Sequence, residues 1–148
     1  MRILIDADGC PVVDVAVNAA RGSFLECHIF CDTAHMFEKD GAAPHIVPKG
    51  SDSADFALVN FARCGDVVIT QDYGLASMAL ARGAICINQD GKEYTSDNID
   101  GLLFARHTAK KIRNAGGRLK GPSKRTAEQD IRFRNKLEEI IRERRRCE

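Results

Sequence analysis

The chain lacks several features that would sort it quickly. Nowhere in its 148 residues is there an apolar run of about 18, the length a membrane-spanning helix needs, so no membrane partner is expected. Its six cysteines form no C-x-x-C pair. No Gly-rich phosphate loop follows a strand, which excludes P-loop and dinucleotide-binding proteins. Internal repeats and low-complexity tracts are also missing. Strand-forming residues begin directly after Met1 and Arg2, leaving no room for a leader peptide, so a cytoplasmic location with reduced thiols is expected. Cys27, His28, Cys31 and His35 are close enough in sequence to raise a zinc site. On a strand, however, Cys27 and Cys31 share one face and His28 takes the other, so buried thiols are the expectation.

What is present is an ordinary apolar content of 44% and a lopsided charge. The net charge of +1 is the balance of −8 over residues 1–105 and +9 over residues 106–148. An acidic body with a basic arm suits a nucleic-acid processor, with carboxylates for metal and Lys and Arg for phosphates. A solvated basic helix that neutralises its own domain would give the same balance.

Apolar runs alternate with helical periodicity along the first two thirds. Strands are predicted at Arg2–Ile5, Phe24–Cys31, His45–Val47, Val67–Thr70 and Ala84–Ile87. Helices are predicted at Val12–Arg21, Ser53–Cys64, with Phe56, Leu58 and Val59 buried, and Leu75–Arg82. This alternation predicts an α/β domain with a parallel sheet. A further helix over Asn98–Ala115 turns Ile99, Leu102, Leu103 and Ile112 inward. Residues 1–115 form the domain on this basis, and residues 116–148 a basic linker and a C-terminal helix. Thr126 to Gln129 has capping-box spacing. Phe133, Leu137, Ile140 and Ile141 form an apolar stripe that docks on the domain or, in a homodimer, on a partner subunit.

Five aspartates fall where strands end or helices begin: Asp6, Asp8, Asp52, Asp55 and Asp72. Buried unpaired carboxylates are costly, whereas hard divalent cations prefer oxygen ligands. In a parallel sheet all these positions lie beyond the carboxyl ends of the strands, where sites form. Taken singly, Asp8, Asp52 and Asp72 are equally suited to capping helices. His35, His45 and His107 are expected to be surface or packing residues, and Tyr73 and Phe61 to pack. Cys10 sits beside the acidic pair, where negative neighbours disfavour a thiolate.

Four blocks carry a resemblance. They are Ile5-Asp6-Ala7-Asp8-Gly9-Cys10-Pro11-Val12, Gly50-Ser51-Asp52-Ser53-Ala54-Asp55, the run Gly65–Leu75 containing Thr70-Gln71-Asp72, and Asn98-Ile99-Asp100 with Leu102, Leu103 and Arg106. In this order they resemble the bacterial YaiI/YqxD family over nearly the whole chain, departing after Gly121-Pro122. That family looks like a branch of the PIN-like nuclease domains. The resemblance implies a three-layer α/β/α fold and a Mg²⁺- or Mn²⁺-dependent ribonuclease-like site. Asp6, Asp55 and Asp72 would hold the metal, with Asp8 and Asp52 as further ligands or water-orienting groups. Ser51 and Thr70 would bond ligands or phosphate. The nucleic acid, most simply RNA, would follow Arg106, Lys110, Lys111, Arg113 and the linker from Arg118 to Arg125. Two rivals fit parts of the pattern. Asp6-Ala7-Asp8-Gly9 also matches the opening of haloacid-dehalogenase-type phosphatases, with Asp6 as nucleophile. A PIN-like module that binds nucleic acid without chemistry is the other.

Overall fold

The computed structural model describes residues 1–35, 38–50, 52–118, 121 and 123–148. It contains a six-stranded sheet with helices on both faces. The elements are β1 (Ile3–Asp6), α1 (Val13–Gly22), β2 (Cys27–Asp32), β3 (Ala43–Val47), α2 (Ser53–Phe61), β4 (Val67–Ile69), α3 (Tyr73–Ala81), β5 (Ile85–Ile87), β6 (Glu93–Tyr94), α4 (Ile99–Asn114) and α5 (Ala127–Cys147). Strand order is β3-β2-β1-β4-β5-β6, parallel throughout except for β6. The chain builds outward from β1 on one side, then crosses to β4 on the other. The reversal point therefore lies between β1 and β4.

Side-chain alternation builds the two layers. Ile3 and Ile5 face one side with Cys27, Ile29, Cys31, Val67 and Ile69. Leu4 faces the other with Phe30, Val68 and Cys86. α1 and α5 cover the first face, α2, α3 and the start of α4 the second. The stripe of Phe133, Leu137, Ile140 and Ile141 is buried against the chain's own sheet layer and is not left for a partner. Gly91 (φ 79°) makes this docking possible, because a Cβ there would lie 3.0 Å from the Arg132 carbonyl and 3.2 Å from the Phe133 Cα. Gln129 Oε1 accepts the Thr126 N–H at 2.7 Å, completing the expected capping box.

Several expectations need correction. β6 was not anticipated, since a two-residue strand carries no periodicity. Phe56 is 55% exposed rather than buried, and Leu58, Val59 and Ala62 fill the space under α2. On α4 only Ile99 is buried; Leu102 and Leu103 are half-buried and Ile112 is 42% exposed, because the helix leaves the sheet layer after its first turns. β3 runs through Pro44, which an edge strand tolerates. The linker residue Arg125 is not free to follow nucleic acid. It donates to Asp90 at 2.7 Å, Asp130 at 2.7 Å and the Gln89 carbonyl at 2.6 Å, pinning the start of α5 to the β5–β6 turn.

The amino ends of β1 and β4 are joined by a buried ion pair. Asp66, 3% exposed, accepts the Arg2 backbone N–H at 3.0 Å, the Arg2 guanidinium at 2.5 Å and the Arg63 N–H at 3.0 Å. The guanidinium also lies 4.3 Å from the Phe61 ring centre. Burial pushes the Asp66 pKa up, but these hydrogen bonds outweigh it and hold the carboxyl below the usual range. Asp66→Ala is expected to lower unfolding free energy by about 3 kcal/mol in denaturant titrations at pH 7, since it strands a largely buried guanidinium. A depressed folded pKa stabilises above the unfolded value, so the difference between variant and wild type should shrink as pH falls below about 4.

Candidate functional site

The site grows from the carboxyl ends of β1 and β4. Asp6 closes β1, and Thr70 follows β4 with 1% of its surface exposed. The Thr70 hydroxyl donates to Asp6 Oδ2 at 2.7 Å and accepts the Asp72 N–H at 3.0 Å, linking the two strand exits. Asp72 caps α3, with Oδ1 accepting from Gly74 N at 2.7 Å and Leu75 N at 3.1 Å. Its capping role is therefore real and does not remove it from the site. Asp52 stands at the N-cap of α2 with a left-handed backbone (φ 60°), and Asp55 lies in the first turn. Asp8 is exposed in the turn after β1, and Gln71 Nε2 ties the next residue by donating to the Gly9 carbonyl at 2.8 Å.

These residues line one open cleft of about 370 Å³. Asp6, Asp8, Asp52, Asp55 and Asp72 are all on its walls, together with Asp32 and Arg106. Arg106 comes from α4 and sits 3.3 Å from Asp72 Oδ1. The crowding has electrostatic consequences. Burial raises the Asp6 pKa to about 6; the Thr70 hydrogen bond opposes the rise, and the charges of Asp55, Asp72 and Asp8 add to it. Burial and the neighbouring charges of Asp72, Asp52 and Asp8 likewise raise Asp55, with Arg106 opposing. Even so, among the described residues no three His, Cys, Asp or Glu side chains are gathered closely enough to form a ready-made metal-ligating group. The donor chemistry suits a hard cation, whereas the arrangement is an open rim rather than a closed cage.

The remaining candidates separate. Lys110, Lys111 and Arg113 are exposed on α4 beyond Arg106 and do not line the cleft. Ser51 lies outside the described residues. Burial pushes the Cys10 thiol to about 11, with Asp6 adding and the Val12 N–H and Arg125 opposing, so it is no thiolate at neutral pH. All six cysteines are free thiols, and Cys27 and Cys31 face away from His28, as strand alternation requires. His28 and His45 bond each other at 2.9 Å among Phe30 and Phe61, which is packing. Tyr73 packs edge-on against Tyr94, with ring centres 5.8 Å apart.

One rim residue escaped the sequence reading. Asp32 ends β2 and accepts from Ala34 N at 2.9 Å, His35 N at 3.0 Å and His35 Nδ1 at 3.0 Å. These bonds, led by that from the His35 ring, hold its carboxyl below the usual range. The same Nδ1 lies 3.8 Å from Asp8. The signal for Asp32 was available: it leaves its strand as Asp6 leaves β1. Nothing in the sequence marks His35 as its partner, since a three-residue turn brings them together.

No helix among the described residues is long and apolar enough to cross a membrane. The model of the family described as uncharacterised BCR, YaiI/YqxD matches residues 4–143. A UPF0178 protein of Exiguobacterium sibiricum is 49% identical over 143 residues, covering 97% of this chain and 98% of its own length. A UPF0178 protein of Clostridium acetobutylicum is 46% identical over 143 residues, covering 95% and 97%. No solved structure gives a significant match. With the family model spanning nearly the whole chain and relatives alike from end to end, the chain belongs to the YaiI/YqxD (UPF0178) family.

Proposed function

We propose that the chain is a divalent-metal-dependent phosphodiesterase of the PIN-like type, acting on RNA at the acidic cleft. One observation carries this: Asp6, Asp8, Asp52, Asp55 and Asp72, from three separate segments, share one cleft at the strand-order reversal, and Asp6 and Asp55 are destabilised as anions there. Caps alone do not require two carboxylates at one helix start. Asp6, Asp55, Asp72 and Asp52 would hold Mg²⁺ or Mn²⁺. A bound ion of this kind supplies charge neutralisation at a phosphate and a water of lowered pKa. The chain's own residues do the positioning. Thr70 fixes the Asp6 carboxylate and the Asp72 backbone, and Asp8, exposed at the mouth, would orient water. Arg106 exchanges Asp72 for a substrate phosphate. Lys110 and Arg113 follow Arg106 at four and seven residues along α4, so they extend its cationic face, with Lys111 beside them.

The phosphatase alternative is weaker because the late acidic motif of that type, a Gly-Asp, follows a strand, whereas Gly65-Asp66 precedes β4. Asp66, which would supply it, lies at the opposite end of β4 in the pair with Arg2. A module without chemistry would bind RNA equally in chelator and show no turnover.

Cleavage of single-stranded RNA is expected to require Mg²⁺ or Mn²⁺ and to stop in chelator. Asp6→Asn should reduce the rate at least about a hundredfold, since even outer-shell partners of a metal account for ten- to a hundredfold. Equal cleavage by variant and wild type would point to a contaminant. Calorimetric titration with Mn²⁺ should give binding heat for wild type and none for Asp6→Asn.

A pH signature follows from the raised pKa of Asp6. A group raised on folding stabilises below its unfolded value and loses that contribution as pH rises through about 6. The metal-free wild type should therefore lose about 2 kcal/mol between pH 4 and pH 7 from this residue. Asp6→Asn escapes the loss. Its thermal midpoint should exceed that of wild type at pH 7 and match it near pH 4; a lower midpoint at pH 7 would show that the Asp6 anion is not crowded.

A further inference from the structure

At the amino ends of the strands, opposite the cleft, an aromatic side chain and several arginines share a surface that the cleft chemistry does not use. α1 ends at Gly22, yet the left-handed position after it is filled by Phe24 (φ 53°) rather than by glycine. A bulky residue in this conformation is an outlier that surrounding packing normally over-determines. Phe24 has no such packing, being 95% exposed. Beside it ends α5. Arg145 donates to the Ser23 carbonyl, and Arg144 lies against Gly65 at the approach to β4. Between α1 and α5 runs an open groove of about 340 Å³ lined by Asn18, Ser23, Arg142 and Arg145. Arg146 is four residues beyond Arg142 and so continues the same helix face.

Ordinary explanations do not account for this set. Cations at a helix C-terminus are favourable, but the macrodipole amounts to about half a charge, against three arginines on one face. Glu138 is the acidic residue lining the groove; Glu143 lies on the other side of α5 with Ile140 and Cys147. Of the nearby charges, Glu26 is engaged with His28 and Arg21 with Asp40. A positive groove with hydrogen-bonding walls, and one fully presented ring beside it, match a chain of phosphates carrying flat bases. A lipid surface calls for several inserted apolar side chains, and among the described residues no large exposed apolar group lines this groove; Phe24 stands beside it, next to Ser23.

We propose that this surface is a second, non-catalytic binding site for single-stranded nucleic acid, with Phe24 stacking on a base and Arg142, Arg145 and Arg146 holding flanking phosphates. It does not depend on hydrolysis at the cleft, so it is tested in chelator on the full chain carrying Asp6→Asn, where cleavage cannot enter. The probe is a fluorescent oligouridine of about 16 nucleotides, followed by anisotropy. Phe24→Gly should weaken binding about tenfold. Its thermal midpoint should equal or exceed that of the parent, because glycine adopts this backbone without strain. Arg142→Gln and Arg146→Gln should each reduce the slope of log affinity against log salt by about 0.7. Affinities unchanged in all three variants overturn the proposal. So does an unbound oligonucleotide, including the case where phosphatidylserine vesicles bind through Phe24 instead.

Discussion

The pairing of β1 with β4 is the constraint on which the rest of the molecule depends. It joins the two halves of the sheet at the reversal of strand order, and it is fastened at both ends. At the amino ends the Arg2–Asp66 pair bridges the strands, and at the carboxyl ends the Thr70 hydroxyl bonds Asp6. Register between them is Ile3 to Val67 and Ile5 to Ile69. A slip of one residue would turn Asp6 to the wrong face relative to Thr70 and exchange the two apolar layers. Fold and cleft are thus specified by the same contacts. A buried ion pair is seldom a strong source of net stability, but it is well suited to fixing a register, and here the register decides which carboxylates meet.

Four of the six aspartates lining the cleft fall into two groups. Asp32 and Asp72 accept backbone N–H bonds from the turn or helix start that each one opens. Asp6 and Asp55 are raised by burial and by each other's neighbours. The first group is held in place by local turns and helix starts. The second has an unmet electrostatic demand, which protonation or a bound cation would relieve. A hard cation relieves it at neutral pH without giving up the charges, which is why the crowded pair carries the functional proposal.

Much of this was legible in the sequence, for reasons that differ by residue. β1, β4 and β5 are short, continuous apolar runs rich in Ile and Val, the length and composition of strands buried on both faces. The convergence of Asp6, Asp55 and Asp72 followed from the rule that helices begin where parallel strands end. Phe56 misled because hydrophobicity alone does not say which side of a short helix faces the sheet; Leu58, Val59 and Ala62 fill the space beneath α2. Ile112 misled for a related reason: periodicity along α4 was intact, but the helix departs from the layer it was expected to cover. Asp32 was missed by inconsistency, since the strand-exit rule applies to it unchanged. The tie between Arg125 and Asp90, 35 residues apart, has no local signature at all.

The charge imbalance between the two parts of the chain takes on a different meaning in three dimensions. The sequence suggests a basic arm beside an acidic body. In the fold α5 runs from the β5–β6 turn, at the carboxyl ends of the strands, down to Ser23 and Gly65 at the amino ends, so its terminal arginines lie at the far end from the cleft. β1 alone spans about 13 Å at 3.3 Å per residue, already beyond a screening length of about 8 Å at physiological salt. These arginines therefore cannot neutralise the carboxylates of Asp6 and Asp55. That role falls to Arg106, the one cation among the described residues lining the cleft, and a single guanidinium does not balance six aspartates. The net charge of +1 conceals an acidic cleft at the carboxyl ends of the strands and an arginine-bearing helix end at their amino ends.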